Sequence, residues 1–267
     1  MTNLRIILCD QLTHDISSLS DINKDEDIVL MVELHSEFTY VKHHKKKIAF
    51  LLSAMRHFSA ELSNANVNVC YVKLEDQNNK NLLKDHVKEI IEKYSVKRVI
   101  ITHPSEYRIL QEIKQWKSIL SIPVQIREDN RFLCTPEEFS KWAGNKKQLR
   151  MEFFYREIRK KYNILMNGNK PEGGKWNFDN ENQKSPAKNL NIPEKYEAKP
   201  DQITIEVIQL VNKHFGGHFG DLEPFFFAVT RDDAKIAMKH FIERRLIKFG
   251  DYQDAMIENE PWMFHLL

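Results

Sequence analysis

The first 130 residues alternate short apolar runs with longer amphipathic stretches, and that alternation restricts the fold more than any other feature of the chain. Leu4–Cys9 and Ile28–Glu33 are compact apolar runs. Val41–Leu62 follows, with Ile48, Leu51, Leu52, Met55, Phe58 and Leu62 at helical spacing. Val67–Leu74 alternates like a strand, and Asn81–Tyr94 gathers Leu82, Val87, Ile90 and Ile91 on one helical face. Val96–Thr102 is a further apolar run, a helix capped by Ser105 is expected to about Leu120, and Pro123–Arg127 gives a fifth strand. Strands separated by helices of this length predict a mostly parallel sheet covered on both faces. Residues 1–130 are therefore expected to form an α/β, Rossmann-like, doubly wound domain.

The character changes beyond residue 130. Two helical segments, Pro136–Ala143 and Gln148–Tyr162, precede Asn163–Pro200, which is rich in Asn, Gly, Pro and Lys. A segment this long without periodicity is a functional loop or a linker, so residues 131–200 read as an interdomain connection. Residues 201–267 read as helical: Ile203–Phe215 is amphipathic, and so is Thr230–Phe249, with Thr230 and Asp233 in the arrangement of a capping box. The sequence closes on the apolar run Trp262–Leu267.

With 267 residues, 42% of them hydrophobic, the chain can bury a substantial core. Its net charge of +2 decides nothing about nucleic acid, so charge placement has to. Cys9, Cys70 and Cys134 are far apart and form no CxxC pair, which argues for a reducing compartment and against a zinc ribbon or an iron–sulfur cluster built from this chain alone. The opening MTNLRIILCDQL resembles a strand and not a signal peptide, and no apolar stretch approaches the ~20 residues needed to span a bilayer. A cytoplasmic monomer without membrane contact is expected.

Parallel sheets bind ligands beyond the carboxyl ends of their strands. Here those ends carry Cys9, Asp10 and Gln11, then Glu33 through Glu37 and Tyr40, then His103 through Tyr107. These groups can hydrogen-bond a heteroaromatic ring; equally, they suit ordinary loops and helix caps. No glycine-rich cradle follows the first strand, so a dinucleotide is not indicated. His43 and His44 point about 100° apart on a helix and do not chelate, which leaves a solvated basic face or a phosphate contact. Lys141–Tyr162 interleaves Lys146, Lys147, Arg150, Arg156, Arg159, Lys160 and Lys161 with Phe153, Phe154 and Tyr155. That pattern suits a nucleic-acid backbone and exposed bases, and equally an amphipathic helix with its aromatics inward. Gly173 and Gly174 before Trp176 and Phe178 indicate a structured loop, in which Asp179 caps a turn or holds a hydrated cation.

LRIILCDQL, VLMVELHSEFTYVKHHKKKIAFLLSAMRHF, REDNRFLCTPEEFSKWA, KQLRMEFFYREIR, PEGGKWNFDNEN, HFGDLEPFFFAVTR and FGDYQDAM followed by PWMFH resemble, in order, the prokaryotic photolyase- and cryptochrome-related proteins, including the iron–sulfur bacterial (6-4) photolyases. The resemblance implies an N-terminal domain that binds a 6,7-dimethyl-8-ribityllumazine antenna and a helical domain that holds FAD and a [4Fe–4S] cluster. It implies DNA as partner and light-driven repair of (6-4) photoproducts by electron transfer from reduced FAD, a lyase reaction. A blue-light photoreceptor of the same family and a non-catalytic lumazine-binding module are the alternatives. Carried over by position, the antenna site draws on Cys9, Asp10, Glu33, Glu37 and Tyr40, with Glu37 the strongest candidate because a carboxylate accepts from ring or ribityl donors. Arg150, Arg156 and Asp179 fall near the DNA lesion, and Tyr252 and His265 fall where the flavin contacts begin.

The departure lies at the end, where the family pattern continues past MFH into a segment that helps hold FAD and this sequence reads MFHLL. The expectation is a truncated or partial product, inactive alone. Phe225–Phe227 and Trp262–Phe264 are then expected to lack packing partners.

Overall fold

A computed structural model describes residues 1–187 and 189–265; of the closing run, Leu266 and Leu267 lie outside the described residues. Strands β1 (Asn3–Ile6), β2 (Ile28–Val32), β3 (Val69–Val72), β4 (Arg98–Thr102) and β5 (Val124–Arg127) form one sheet in the order β3-β2-β1-β4-β5. Every pairing is parallel, with Leu4 opposite Ile28 on one side and Val99 on the other. This is the Rossmann-like α/β arrangement that the alternation predicts. Strand order reverses between β1 and β4, so a crevice opens beyond their carboxyl ends.

The helices are α1 (His35–Thr39), α2 (Lys45–Asn64), α3 (Leu83–Tyr94), α4 (Tyr107–Ile119), α5 (Pro136–Ala143), α6 (Met151–Tyr162), α7 (Gln202–His214), α8 (Arg231–Arg244) and α9 (Leu246–Phe249). They divide between two compact units, one of Met1–Arg131 with Glu197–Ala234, the other of Phe132–Tyr196 with Lys235–Leu267.

In the first unit, β2 is buried along its whole length because both faces of the sheet are covered. Successive side chains alternate faces: Val29 and Met31 pack with Ile48, Leu52 and Met55 of α2 and with Val207, Leu210 and Val211 of α7. Ile28, Leu30 and Val32 join Val87 and Ile90 of α3 and Ile109, Ile113 and Trp116 of α4. Asp201 starts α7 by accepting from the Thr204 N–H at 2.9 Å, and it also meets Nε2 of His57 on α2 at 2.8 Å. Arg5, buried within β1, donates to Asp27 and to Asp21 at 2.7 Å each, and Arg127 of β5 holds Asp21 from outside at 2.6 Å. That network fixes the loop between β1 and β2 against the sheet.

Phe225 and Phe226 are buried in this unit, and Phe225 belongs to the same core as α7. The expectation that they lack partners is corrected: the α2–α7 layer supplies them. Ser105 does not cap α4 either, since Glu106 is the N-cap and no side chain caps that end.

In the second unit, α5 begins with a full capping box between Thr135 and Glu138, each bond 3.1 Å. Phe139 and Trp142 of α5 meet Phe154 of α6 at ring separations of 5.2 and 4.9 Å. The Asn163–Pro200 segment contains a two-strand antiparallel turn, β6 (Met166–Asn167) with β7 (Lys170–Pro171), and a 3-10 turn at Asp179–Glu181. Gly173 has φ +77°, and a Cβ there would come within 3.0 Å of the Phe178 ring, so the turn needs glycine. Met263 and Phe264 are buried, contrary to the expectation for that run. Exposure falls instead on Ile236, Met238 and Ile242 of α8 and on Ile247 and Met256.

Candidate functional site

A cavity of about 480 Å³ lies beyond the carboxyl ends of the sheet in the first unit, within the range of small-molecule sites. Ile7 through Asp10 after β1, Leu34 through Phe38 after β2, and Pro104 through Ile109 after β4 supply its walls, with Leu51 and Met55 from α2 and Ile113 and Trp116 from α4. Its apolar lining is buried: Trp116 and Ile113 are fully enclosed, and Ile7, Met55 and Phe38 nearly so. The charged residues Asp10, Glu37, Glu106 and Arg108 are partly exposed and form its rim. A flat ring can be taken up among the apolar groups while a polar tail remains near the charges.

Cys9, Asp10 and Glu37 line this cavity together. Burial, reinforced by the charges of Asp10 and Glu37, pushes the Cys9 thiol up to about 12, so it is an inert wall group and not a nucleophile. Asp10 is held by Arg131, which donates to its backbone carbonyl and lies 3.8 Å from its carboxylate. Arg131 is itself anchored to Asp129 at 2.6 Å. Glu37 accepts from Arg108 at 2.6 and 3.1 Å, and Arg108 also donates to Glu106 at 2.8 Å. These hydrogen bonds, against the opposing effect of burial, raise the Arg108 pKa further and keep the guanidinium charged.

Tyr40 stands outside the cavity wall, half exposed, with the Arg108 guanidinium 4.5 Å from its ring centre. Glu33 is fully buried and spent on the protein: it accepts from Arg56 at 2.7 and 3.0 Å, from the Tyr71 hydroxyl at 2.7 Å and from the Leu74 N–H at 2.8 Å. Burial disfavours the Arg56 charge, but the Glu33 hydrogen bond and charge outweigh it and its pKa rises. Glu33 therefore ties β2 to α2 and to the residues after β3.

In the second unit, Arg150 is the exposed N-cap of α6. Arg156 pairs with Glu152 one turn earlier, and its guanidinium lies 5.5 Å from the Trp176 ring centre. Arg159 and Lys160 approach the same ring at 5.3 and 5.4 Å, so Trp176 is surrounded by cations from α6. Asp179 takes part in a local turn, its N–H donating to Asn177 at 2.7 Å and its carboxylate accepting from the Asn177 amide at 3.0 Å. Tyr252 stacks on Phe264 at 5.5 Å and His265 meets Phe249 at 5.4 Å. Cys9, Cys70 and Cys134 are free thiols, and among the described residues no group of three or more His, Cys, Asp or Glu side chains is placed to hold a metal ion.

The family model described as deoxyribodipyrimidine photo-lyase-related protein matches residues 5–227. The chain belongs to this photo-lyase-related family. It is 43% identical, over all 267 residues, to a protein of Agrobacterium fabrum named (6-4) photolyase, of which the match covers 53%. The chain thus spans about half the length of that relative. An uncharacterized protein of Acanthamoeba polyphaga mimivirus is 26% identical over 193 residues, covering 69% of this chain and 95% of that one.

Within this photo-lyase-related chain, sequence reasoning missed Arg108, Glu112, Trp116 and Lys47 as cavity residues. A signal for three of them was present: Arg108, Glu112 and Trp116 recur every fourth residue along α4 and so share one helical face. Lys47 lies in the basic run at the start of α2 and its role shows only once that helix is seated on the sheet.

Proposed function

We propose that this chain is the antenna-binding portion of a flavoprotein that repairs (6-4) photoproducts in DNA with light. Support comes chiefly from 43% identity along the entire chain to a protein named (6-4) photolyase. The cavity adds to it, because Cys9, Asp10 and Glu37 converge there as the resemblance implies.

The cavity residues fit a lumazine ring: buried apolar walls can enclose the ring, and Glu37, positioned by Arg108, can accept from a ring or ribityl donor. Bound there, the antenna would collect near-ultraviolet or blue light for the flavin. This chain's part is to hold that ring at fixed orientation and to exclude water from it. The described residues do not assemble the four thiolates of a [4Fe–4S] cluster. DNA contact is proposed for the α6 and Trp176 surface, with Arg150, Arg156 and Asp179 nearest the lesion.

A second reading, a ring-binding module without catalysis, is favoured by the cavity being built wholly from one compact unit. The absorption spectrum of the purified chain, with mass spectrometry of whatever denaturation releases, tests both. Lumazine is the expected chromophore. Lumazine with repair of a (6-4) duplex under light supports the first reading, and lumazine without repair the second. A preparation that neither carries nor takes up a lumazine contradicts both.

A further inference from the structure

The α4 face in the cavity descends from charge to enclosure. Arg108 is partly exposed, Glu112 is half-buried one turn deeper, and Trp116 is fully buried one turn beyond. A turn of helix advances about 5.4 Å, so the Glu112 carboxyl stands between the Arg108–Glu37 clamp and the apolar end.

Glu112 lines the cavity and has no ion pair within 4.0 Å among the described residues. Arg108, its natural partner at this spacing, is committed to Glu37 and Glu106. The Trp116 indole N–H, buried beside Glu112, acts on its carboxyl as a donor, at a geometry short of a full hydrogen bond. A carboxyl and an indole donor set side by side in an apolar cavity, with one weak contact to each other, retain hydrogen-bonding capacity for a ligand.

We infer that Glu112 is the specificity-determining group of this cavity, pairing its carboxyl with the lactam or imide edge of the bound heteroaromatic ring. A carboxyl oxygen accepts from a ring N–H in either protonation state, and the acid form also donates to the adjoining C=O. Burial, then the negative charge of Glu37, raises the Glu112 pKa, opposed by Arg108, Lys84 and the Trp116 N–H. Glu37 is engaged by the Arg108 guanidinium at the rim, and Glu112 is the cavity carboxyl set toward the apolar end. The inference rests on the antenna reading and adds which edge of the ring is read.

The test measures binding of 6,7-dimethyl-8-ribityllumazine and of its N3-methyl derivative to the full chain and to Glu112→Leu and Glu112→Gln. Methylation removes the imide N–H and should weaken binding to the unaltered chain by about tenfold. Leu keeps the bulk without polar atoms, so Glu112→Leu should lose about tenfold on the parent ring and bind both rings alike. Gln keeps a donor beside an acceptor, so Glu112→Gln should retain the preference. A Glu112→Leu chain that keeps the full preference overturns the inference and leaves the antenna reading standing. An unaltered chain that binds neither ring overturns both.

Discussion

Arg108 donates to both carboxylate oxygens of Glu37, at 2.6 and 3.1 Å, and so joins the helix that follows β4 to the helix that follows β2 across the rim of the cavity. A bidentate pair fixes direction as well as distance. Glu37 is therefore presented at the rim in one orientation, and Arg108 acts as its positioning residue.

Replacing Arg108 by Gln should weaken lumazine binding by about five- to tenfold, because Glu37 must then be ordered by the ligand. The unfolding midpoint should scarcely move, since the pair is partly exposed and such pairs contribute little to stability. Fluorescence titration beside urea denaturation separates the two effects. A large loss of stability with unchanged affinity would make Arg108 merely structural.

Glu33 should behave in the opposite way. Its carboxylate is enclosed and shared by Arg56, Tyr71 and Leu74, so Glu33→Ala leaves a buried guanidinium uncompensated and should cost about 3–5 kcal/mol. Ring affinity, measured on whatever fraction remains folded, should be close to that of the unaltered chain. Affinity lost with stability intact would return Glu33 to the binding site.

Acid should unfold the first unit through its carboxylates. Burial works against the Asp27 charge, but hydrogen bonds from the Asn23 N–H, Arg5 and Asn3 outweigh it and depress its pKa. The Arg127 hydrogen bond, with help from Arg5, depresses that of Asp21. A depressed carboxylate contributes stability that is complete above its unfolded value of about 4 and is lost as pH falls through the lower folded value. Urea midpoints should therefore hold between pH 7 and 5 and drop below pH 4. Asp27→Asn, less stable at neutral pH, should show a shallower acid decline; an equal or steeper one would place the acid-sensitive groups elsewhere.

Cys9 should resist alkylation. With its thiol pushed up to about 12, the thiolate fraction at pH 8 is about one in ten thousand. Peptide mapping after brief iodoacetamide treatment of the folded chain should find Cys9 unmodified, and denaturation should expose it. Rapid labelling in the folded state would mean that the cavity wall opens on the timescale of the reagent.

The sheet was legible from sequence because strands buried on both faces must be continuously apolar, as β2 is, while helices of a doubly wound domain carry one stripe. The cavity was legible in part. Cys9, Asp10 and Glu37 follow strand ends and could be placed by topology, whereas Glu33 sits one residue past β2 and turns inward to Arg56, a choice that only tertiary packing makes. The seat of α7 on α2 was not legible, since an amphipathic face states that it will be covered and not by what. The cation cluster about Trp176 depended on a turn set by Gly173, which brings a loop residue back onto α6.

The most direct measurement is titration of ligand-free chain with 6,7-dimethyl-8-ribityllumazine, beside an Ile109→Trp variant whose indole would occupy the cavity. The account predicts saturable one-to-one binding by the unaltered chain and its loss in the variant, with the circular dichroism spectrum preserved. Unchanged binding by a folded Ile109→Trp chain would contradict it, because the ring would then be held somewhere other than the carboxyl edge of the sheet.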